Sequence, residues 1–431
     1  MIRSIVAAAI TAGLAAGMAG AAELEYGVEV GIGNSDNIRR VPTGAESETI
    51  LTTGVDLAWL REEGRLHADV GIDLSYFDYQ DNTYQGEVTG MANADLRFLF
   101  VPGRFEWVLV DSFGQSQLDP FSALTPDNRE NVNYLTTGPD FTMRLGSAGS
   151  LTLFGRYSAT QYQDTNFDDE RLLGGVAFGR ELSQRSSLSV NATTESVEFD
   201  DAVAGNDYDR RSAFLRYDIE GARTTIGAEA GYTEVESSGI TNSSPLFALD
   251  ISRNISERSI LTLQGGIRSS DSASALRAGD IGGGGIPGRP GQISTADTFE
   301  TRHAALGWQF SAQRTQIELS AGFEEDRYDT ASLLDRERQF VRASASRDVT
   351  PRFNARVQAS LYSSDFGTAA QDDDETQYGV YFSWNVSGRL YILLDGEHVN
   401  RESSNLLSEF DETRAFLRFA WRNTGSGSGA R

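Results

Sequence analysis

The stretch "TPRFNARVQASLYSS", residues 350–364, alternates between apolar and polar residues almost without a break. The apolar parity holds Phe353, Ala355, Val357, Ala359 and Leu361, and the polar parity holds Arg352, Asn354, Arg356, Gln358 and Ser360. Successive side chains of an extended strand point to opposite faces of a sheet, so this period of two predicts a β-strand. Two environments fit it. In a soluble sandwich the apolar row faces a protein core, whereas in a membrane barrel it faces lipid and the arginines line the interior.

The same alternation recurs along the chain. It is clear in residues 66–75, 225–232, 316–323 and 377–384, and no helical period competes with it there. Segments of about ten residues are long enough to cross a bilayer as tilted strands. After the amino terminus there is no run of about 18 consecutive apolar residues, so the sequence predicts an all-β chain without a transmembrane helix.

The connections between these segments alternate strictly between short and long. The nine short ones are "REEGR" near residue 61, "VPGR" near 101, "GSAGS" near 146, "LSQR" near 182, "EGAR" near 220, "ISER" near 255, "SAQR" near 311, "VTPR" near 349 and "VSGR" near 386. Eight of the nine end in arginine, and the ten long connections are polar and often acidic. Tight periplasmic turns opposite long extracellular loops are typical of transmembrane barrels.

This pattern sets the strand count. Nine short turns and ten long loops predict 20 antiparallel strands in an outer-membrane β-barrel over residues 23–422. A count of 18 stays open, because Pro139 interrupts the sixth strand and a proline removes one ladder donor. Closure satisfies the backbone without water. We therefore expect the apolar row of the opening stretch to face lipid and its polar row to face the lumen.

Both ends of the sequence are consistent with an outer-membrane barrel. Residues 1–22 carry Arg3, an apolar run and the small-residue pattern Ala19-Gly20-Ala21, which together predict a cleaved signal peptide. The last strand, "TRAFLRFAWR", looks like the signal that barrel-assembly machinery reads, with an ordinary edge strand as the alternative. Residues 423–431 are expected to be a flexible tail. The predicted location is the outer membrane of a Gram-negative bacterium, with outer-membrane lipid and lipopolysaccharide as partners.

Composition excludes several classes of function. The formal net charge of −25 argues against a nucleic-acid partner, because phosphate binding needs a basic surface. The chain has no cysteine, so disulfides and thiolate metal sites are excluded. Acidic runs predicted to lie in the long loops, at Asp168-Asp169, Asp200-Asp201 and 372–375, either bind divalent cations that bridge to lipopolysaccharide or are solvated surfaces. None has the spacing of an EF-hand, and no metal site is predicted.

Catalytic residues are sparse. The three histidines, His67, His303 and His398, fall in different strands, and no G-x-S-x-G, HExxH or P-loop pattern is present. His398 beside Asp395 and Glu397 is the best candidate for acid–base chemistry. We predict that the protein is not an enzyme and uses no cofactor.

The inner wall carries both signs of charge. The candidate pore-lining residues are Arg156, Arg216, Glu229, Arg268, Glu318, Arg342, Arg356, Asp395 and Arg418. A barrel of 20 strands is too wide for side chains to fill, so these residues are expected to line a hydrated pore or a pore closed by a loop. The alternative is that they pair with one another and only support the wall.

One long loop, from about residue 269 to 300, is rich in glycine. Its candidate constriction residues are Arg277, Gly282, Gly283, Gly284, Gly285 and Arg289. Four consecutive glycines followed by two prolines preclude a strand or helix there. The loop either folds inward and narrows the pore or stays outside as a mobile extracellular loop.

The two ends of the predicted barrel carry features that resemble a known family. "LEYGVEVGIGNSDNIRRVP" at 24–42 is a first strand of alternating residues followed by Ser35-Asp36-Asn37-Ile38 at the loop, and the barrel closes with "GRLYILLDGEHVNRESSNLLSEFDETRAFLRFAW" at 388–421. The strand–turn–arginine plan repeats between them. With these features the chain resembles outer-membrane barrel porins found with exopolysaccharide and exosortase (PEP-CTERM) gene clusters. The resemblance implies passage of polysaccharide or other polar solutes, with polysaccharide and export-complex proteins as partners, and it transfers no functional residue.

A second function stays open. A non-conducting barrel with a structural or anchoring role fits the same sequence, with extracellular loops that bind surface glycan or a secretion partner.

Overall fold

The computed structural model describes residues 23–200, 207–277 and 293–423. Within these ranges twenty β-strands form one sheet. Consecutive strands pair antiparallel, and the first strand also pairs with the last, so the sheet closes into a barrel. The predicted fold, an outer-membrane type β-barrel of 20 antiparallel strands, is confirmed. The predicted signal peptide and all of the predicted tail except Asn423 lie outside the described residues.

The elements run in chain order around the barrel. The strands are β1 (Glu23–Ser35), β2 (Glu48–Arg61), β3 (Leu66–Tyr79), β4 (Glu87–Val101), β5 (Phe105–Gln117), β6 (Arg129–Leu145), β7 (Gly149–Tyr162), β8 (Asp169–Ser183), β9 (Ser186–Phe199), β10 (Tyr208–Glu220), β11 (Thr224–Ser237), β12 (Ile240–Ser256), β13 (Ser259–Asp271), β14 (Thr298–Ser311), β15 (Thr315–Tyr328), β16 (Arg336–Thr350), β17 (Phe353–Phe366), β18 (Gln371–Asn385), β19 (Leu390–Ser403) and β20 (Phe410–Arg422). One short helix, α1 (Ser272–Arg277), follows β13, and 3₁₀ turns cover Pro126–Asn128 and Ser332–Leu334. No helix in the described ranges is long and apolar enough to span a membrane.

The outer face of the barrel is apolar. In β17, Val357 is 53% exposed and Leu361 is 49% exposed, although both are large aliphatic residues. Arg356 and Gln358 lie on the opposite face, where the amide of Gln358 donates to the hydroxyl of Tyr381 at 2.6 Å. A soluble protein rarely exposes so large an apolar surface, so lipid is the environment that this face fits. Arg352, which the sequence places in the lumen, lies instead in the exposed turn before β17.

Pro139 does not end the sixth strand. β6 runs unbroken past it, but its ladder with β7 has no pairs at Gly138 and Pro139 and resumes at Asp140 opposite Phe154. The guanidinium of Arg156 donates through Nη1 to the carbonyl oxygen of Pro139 at 3.1 Å. The side chain of Arg156 thus donates a hydrogen bond to a backbone carbonyl that has no partner in the β6–β7 ladder.

Two ladders end early on the extracellular half of the barrel. β4 and β5 pair only as far as Ala92 opposite Phe113. β12 and β13 pair only as far as Phe247 opposite Ile267, so Pro245 lies in the part of β12 that has no β13 neighbour. A proline suits a strand edge because it has no N–H to donate. The strand ends above these two points are therefore free to bend away from the wall.

The orientation of β17 can be tested by placing the same charge on each face. Val357→Arg is expected to lower the free energy of unfolding by roughly 2–4 kcal/mol, because it puts a charge on the lipid face near the bilayer midplane. Gln358→Arg on the lumen face is expected to cost about 1 kcal/mol, the value of one lost hydrogen bond. Urea titration followed by heat-modifiable gel migration measures both, and equal costs would contradict the orientation.

Candidate functional site

The nine candidate pore-lining residues share one face of the wall. Each lies on the parity opposite the exposed apolar row of its own strand, as Arg356 does beside Val357 and Arg418 does beside Leu417 and Phe419. Alternation therefore placed them on the inward face. Whether that face lines an open, hydrated pore stays a prediction.

Most of these inward charges are paired with opposite charges on other strands. Arg156 of β7 lies 2.5 Å from Asp140 of β6. Arg216 of β10 lies 2.8 Å from Glu229 of β11, and Arg268 of β13 lies 3.9 Å from the same carboxylate. These ion pairs link strands on the inward face, and the choice between a hydrated pore and a purely supporting wall stays a prediction.

Two other inward arginines lie against aromatic rings. The guanidinium of Arg342 lies 4.6 Å from the ring centre of Phe340, and its Nε donates to the hydroxyl of Tyr362 at 3.1 Å. The guanidinium of Arg356 lies 5.1 Å from the ring centre of Tyr381. Glu318 has weaker contacts, at 3.5 Å from both Gln309 and Ser344. A ring face attracts a cation electrostatically, so these contacts stabilise the two guanidinium groups on the inward face.

Arg418 holds the seam where the barrel closes. From β20 its Nη1 donates to Glu29 of β1 at 2.6 Å, and its Nε donates to Asp395 of β19 at 2.8 Å. The carboxylate side chains are only 11% and 10% exposed. One planar guanidinium therefore ties three strands together on the inward face.

The β5–β6 loop, residues 118–128, is folded into a compact unit. Asn128 accepts from the backbone N–H of Asp119 at 2.8 Å, and its amide donates to the carbonyl oxygens of Asp119 at 2.8 Å and Ala123 at 3.0 Å. An asparagine that bonds local backbone in this way replaces the ladder bonds that a loop lacks.

This loop lies against the far wall of the extracellular mouth. The carbonyl oxygen of Phe121 accepts from Gln371 of β18 at 2.9 Å and from Ser408 at 2.7 Å. Arg401 of β19 donates to the carbonyl of Ser122 at 3.1 Å. The ring of Phe121 also packs on Phe366 at the end of β17, with centres 5.1 Å apart. Since β5 and β18 are far apart around the ring, the loop crosses the opening.

A third segment meets this loop from the first extracellular connection. Arg40 donates through Nη1 to the carbonyl oxygen of Leu124 at 2.8 Å and through Nε to Glu412 at 2.8 Å. Burial lowers the pKa of Arg40, and the carboxylate of Glu412 opposes that shift.

The two described flanks of the glycine-rich loop also lie across the mouth. α1 packs against β5 and β6, and Ala273 is 1% exposed. On the other flank, Ser294 meets Ser116 of β5 with their hydroxyl oxygens 2.5 Å apart, and its N–H donates to the carbonyl of Gln117 at 2.9 Å. β5 and β13 are eight positions apart in a ring of twenty strands. These flanks therefore reach from one side of the barrel to the other.

Asp271 fixes the end of β13 in this position. It lies 2.8 Å from Arg171 of β8 and 2.7 Å from Arg210 of β10, and it accepts from the hydroxyl of Tyr208 at 2.9 Å. All of these groups are largely buried. No sequence pattern indicates this cluster, because its members come from β8, β10 and β13, which are not neighbours in the sheet.

The predicted constriction residues are only partly described. Arg277 is the last residue of α1. Gly282–Gly285 and Arg289 lie outside the described residues, so their place in a constriction stays a prediction. The described flanks, 272–277 and 293–297, lie within the mouth.

The acidic runs do not all lie in loops. Asp372, Asp373, Asp374 and Glu375 belong to β18, and Asp169 begins β8. The strands extend beyond the bilayer, where both faces are polar and alternation disappears. Asp201 lies outside the described residues, and within the described ranges no group of three or more acidic or histidine side chains is placed to hold a metal ion.

The best histidine candidate has different neighbours from those expected. His398 lies 3.2 Å from the hydroxyl of Thr413 through Nδ1 and 3.5 Å from Asp411 through Nε2. Asp395 is engaged instead by Arg418. His67 and His303 lie in β3 and β14, so the structure does not bring the three histidines together.

A cleft remains beside the β5–β6 loop. It is lined by Gln117, Pro120, Arg336, Arg338, Tyr362, Ser364, Phe366, Asp373, Glu375 and Arg401. The wall side of the cleft comes from β16 to β19, and Pro120 of the loop forms the other side. Polar and aromatic groups thus border the space that the loop leaves open at the mouth.

Solved structures share this fold. A double mutant of the ferric enterobactin receptor PfeA from Pseudomonas aeruginosa is similar over 92% of this chain and 80% of its own, with 10% identity and a TM-score of 0.50. The FrpB iron transporter from Neisseria meningitidis, in its apoprotein form, is similar over 92% and 81%, with 11% identity and a TM-score of 0.47. No protein-family model and no curated protein matches the chain.

At such low identity the likeness concerns the fold. A closed barrel of 20 strands with an apolar outer face is the architecture of the Gram-negative outer membrane, so the predicted location is confirmed.

The seam arginine gives a stability test. Arg418→Ala leaves Glu29 and Asp395 buried without their shared cation, so we expect the free energy of unfolding to fall by roughly 2–4 kcal/mol. Urea titration with a gel-shift readout measures the loss.

Arg216→Ala is the matched control. Arg216 also pairs with two carboxylates, Asp218 and Glu229, but its side chain is 50% exposed, so the expected cost is about 1 kcal/mol or less. If the two substitutions cost the same, burial of the seam pair is not what stabilises closure.

Proposed function

We propose that this protein is an outer-membrane transport barrel for polar solutes, with passage controlled at its extracellular mouth. The observation that carries the proposal is the contact between the end of β5 and the loop that follows β13 on the other side of the barrel, at Ser116 and Ser294. A wall of this size does not fill its own interior, so the segments that cross it decide what passes.

The wall below the mouth supports the same function. Its inward face carries paired charges such as Arg216 with Glu229 and Arg156 with Asp140. Paired charges keep the wall hydrophilic while leaving little net field to trap an ion. The excess of acidic residues, with a net charge of −25, is expected to favour cations over anions at the entrance.

The proposed solute class is polysaccharide or another polar polymer. Its support is the sequence resemblance of 24–42 and 388–421 to barrels found with exopolysaccharide gene clusters. Iron and ferric enterobactin are named for the proteins of similar fold, and at about one residue in ten identical their cargo does not transfer to this chain.

The loop contact can be locked. The chain has no cysteine, so Ser116→Cys with Ser294→Cys introduces the only two thiols. Oxidation is expected to join the loop flank to β5 and hold single-channel conductance low. Reduction is expected to release the flank and raise conductance in the same membrane.

A second cysteine pair serves as the control. Ser183→Cys with Ser186→Cys lies in a periplasmic turn where the two hydroxyl oxygens are 2.8 Å apart, so cross-linking there should not change conductance. Equal conductance in the oxidised and reduced mouth variant would show that this contact does not control passage. A folded barrel that is silent in both states would favour the anchoring function.

Removing the loop tests the size of the solute. Replacing residues 272–297 by a short glycine–serine turn is expected to leave assembly intact, because the flanking strands β13 and β14 pair with each other outside this segment, from Ser259 opposite Phe310 to Asp271 opposite Thr298. Conductance should rise, and swelling of proteoliposomes should extend to longer neutral oligosaccharides. If the folded deletion variant passes only the sugars that the full chain passes, the loop does not set the limit.

A further inference from the structure

The short turns at the periplasmic rim repeat one small pattern. In five of them an aliphatic residue is followed three positions later by arginine: Val101–Arg104, Leu182–Arg185, Ile255–Arg258, Val349–Arg352 and Val386–Arg389. The five aliphatic side chains are 42–52% exposed, and the five arginines are exposed as well. No guanidinium of these five forms an ion pair with any residue in the described ranges. That contrasts with the inward arginines of the wall.

The backbone of these turns is fixed. The carbonyl oxygen of Arg352 accepts from the N–H of Asn385 at 2.8 Å, and that of Arg258 accepts from Ser311 at 2.8 Å. The carbonyl oxygens of Arg104 and Arg389 are bonded in the same way, at 2.7 and 2.9 Å. Each guanidinium therefore extends from a rigid point at the edge of the barrel.

The pattern places these arginines at the depth of lipid headgroups. An exposed aliphatic residue belongs at the edge of the hydrocarbon layer, so a residue three positions further along a turn lies just beyond that edge. Three tryptophans lie at the same depth, the periplasmic interface of the membrane. Trp107, Trp308 and Trp384 each lie within four residues of a periplasmic turn, and Trp384 is 52% exposed on the outer face. Tryptophan collects at the membrane interface.

We propose that this ring of periplasmic turn arginines binds the phosphate groups of anionic phospholipids in the inner leaflet. Guanidinium presents paired N–H donors that match phosphate oxygens, and it binds them more strongly than a neutral donor does. The protein as a whole is strongly acidic and repels anionic lipid. The positive charge of the turn arginines counteracts this repulsion at the periplasmic rim. The neighbouring aliphatic residues contact the acyl chains of the same lipids.

The native tryptophans report on this layer. Quenching of their fluorescence by dibrominated phosphatidylglycerol is compared with quenching by dibrominated phosphatidylcholine in reconstituted full-length barrel. We expect phosphatidylglycerol to be enriched about fivefold at the barrel surface, the contribution of one arginine near an anionic lipid. The quadruple variant R185Q/R258Q/R352Q/R389Q should lose that preference.

The matched control removes the same charge from the other end of the barrel. Arg39, Arg211, Arg302 and Arg327 are 45–59% exposed and form surface ion pairs on the extracellular side. R39Q/R211Q/R302Q/R327Q should keep the fivefold preference. An equal loss in both quadruple variants, or a full-length barrel with no preference, would overturn the proposal.

A smaller change covers the case in which the quadruple variant does not assemble. R389Q alone, close to Trp384, should reduce the preference measurably while gel migration confirms folding. An unchanged preference in folded R389Q and in folded R104Q, which lies beside Trp107, would also overturn it.

Discussion

The whole structure depends on pairing backbone hydrogen-bond groups inside the bilayer. No water is present there, so every strand needs two neighbours and the first strand must find the last. β1 pairs with β20 only from Gly27 to Ser35, which leaves Glu23–Tyr26 without a strand partner on that side. Asn423 completes this edge, because its side chain accepts from the N–H of Tyr26 at 2.9 Å and donates to the carbonyl of Leu24 at 2.9 Å. The backbone N–H of Asn423 also donates to the carbonyl of Tyr26 at 2.9 Å, so the backbone and side chain of one residue together continue the ladder.

Above the bilayer, backbone groups no longer need a strand partner, and the pairing of the strands becomes irregular there. The β4–β5 and β12–β13 ladders end early only on the extracellular half, where water can satisfy the released groups. The end of β13 then leaves its neighbour β12, and Asp271 bonds to Arg171 and Arg210 on another part of the wall. The loops that cross the extracellular mouth follow the ends of β5 and β13, where these two ladders stop early. These loop contacts can form because the sheet must be fully paired only within the membrane.

The sequence predicts the part of the structure that the membrane dictates. Alternation and the short–long order of connections predict 20 strands and the inward face of residues such as Arg356 and Arg418. They do not predict which loops cross the mouth, because the contacts of Phe121 with Gln371 and of Ser116 with Ser294 join residues far apart in sequence. Pro245 was a readable signal: a proline within a strand marks an edge, and here it lies where β12 has lost its neighbour. The run 372–375 was assigned to a loop because alternation ends outside the bilayer although the strand continues.

The basic residues show how strongly the wall shapes composition. All 37 are arginine, and the chain contains no lysine. A guanidinium can bond two carboxylates on different strands at once, as Arg216 does with Asp218 and Glu229, and it can lie over an aromatic ring, as Arg356 does over Tyr381. An ammonium group is a compact point charge that is more strongly hydrated, so it serves neither geometry as well. On the inward face such arginines link acidic groups of neighbouring strands, as Arg418 does with Glu29 and Asp395, and on the periplasmic rim the five turn arginines are exposed and form no ion pair with any described residue. The choice of arginine throughout therefore follows from a barrel whose cations must bridge strands on one surface and meet lipid phosphate on another.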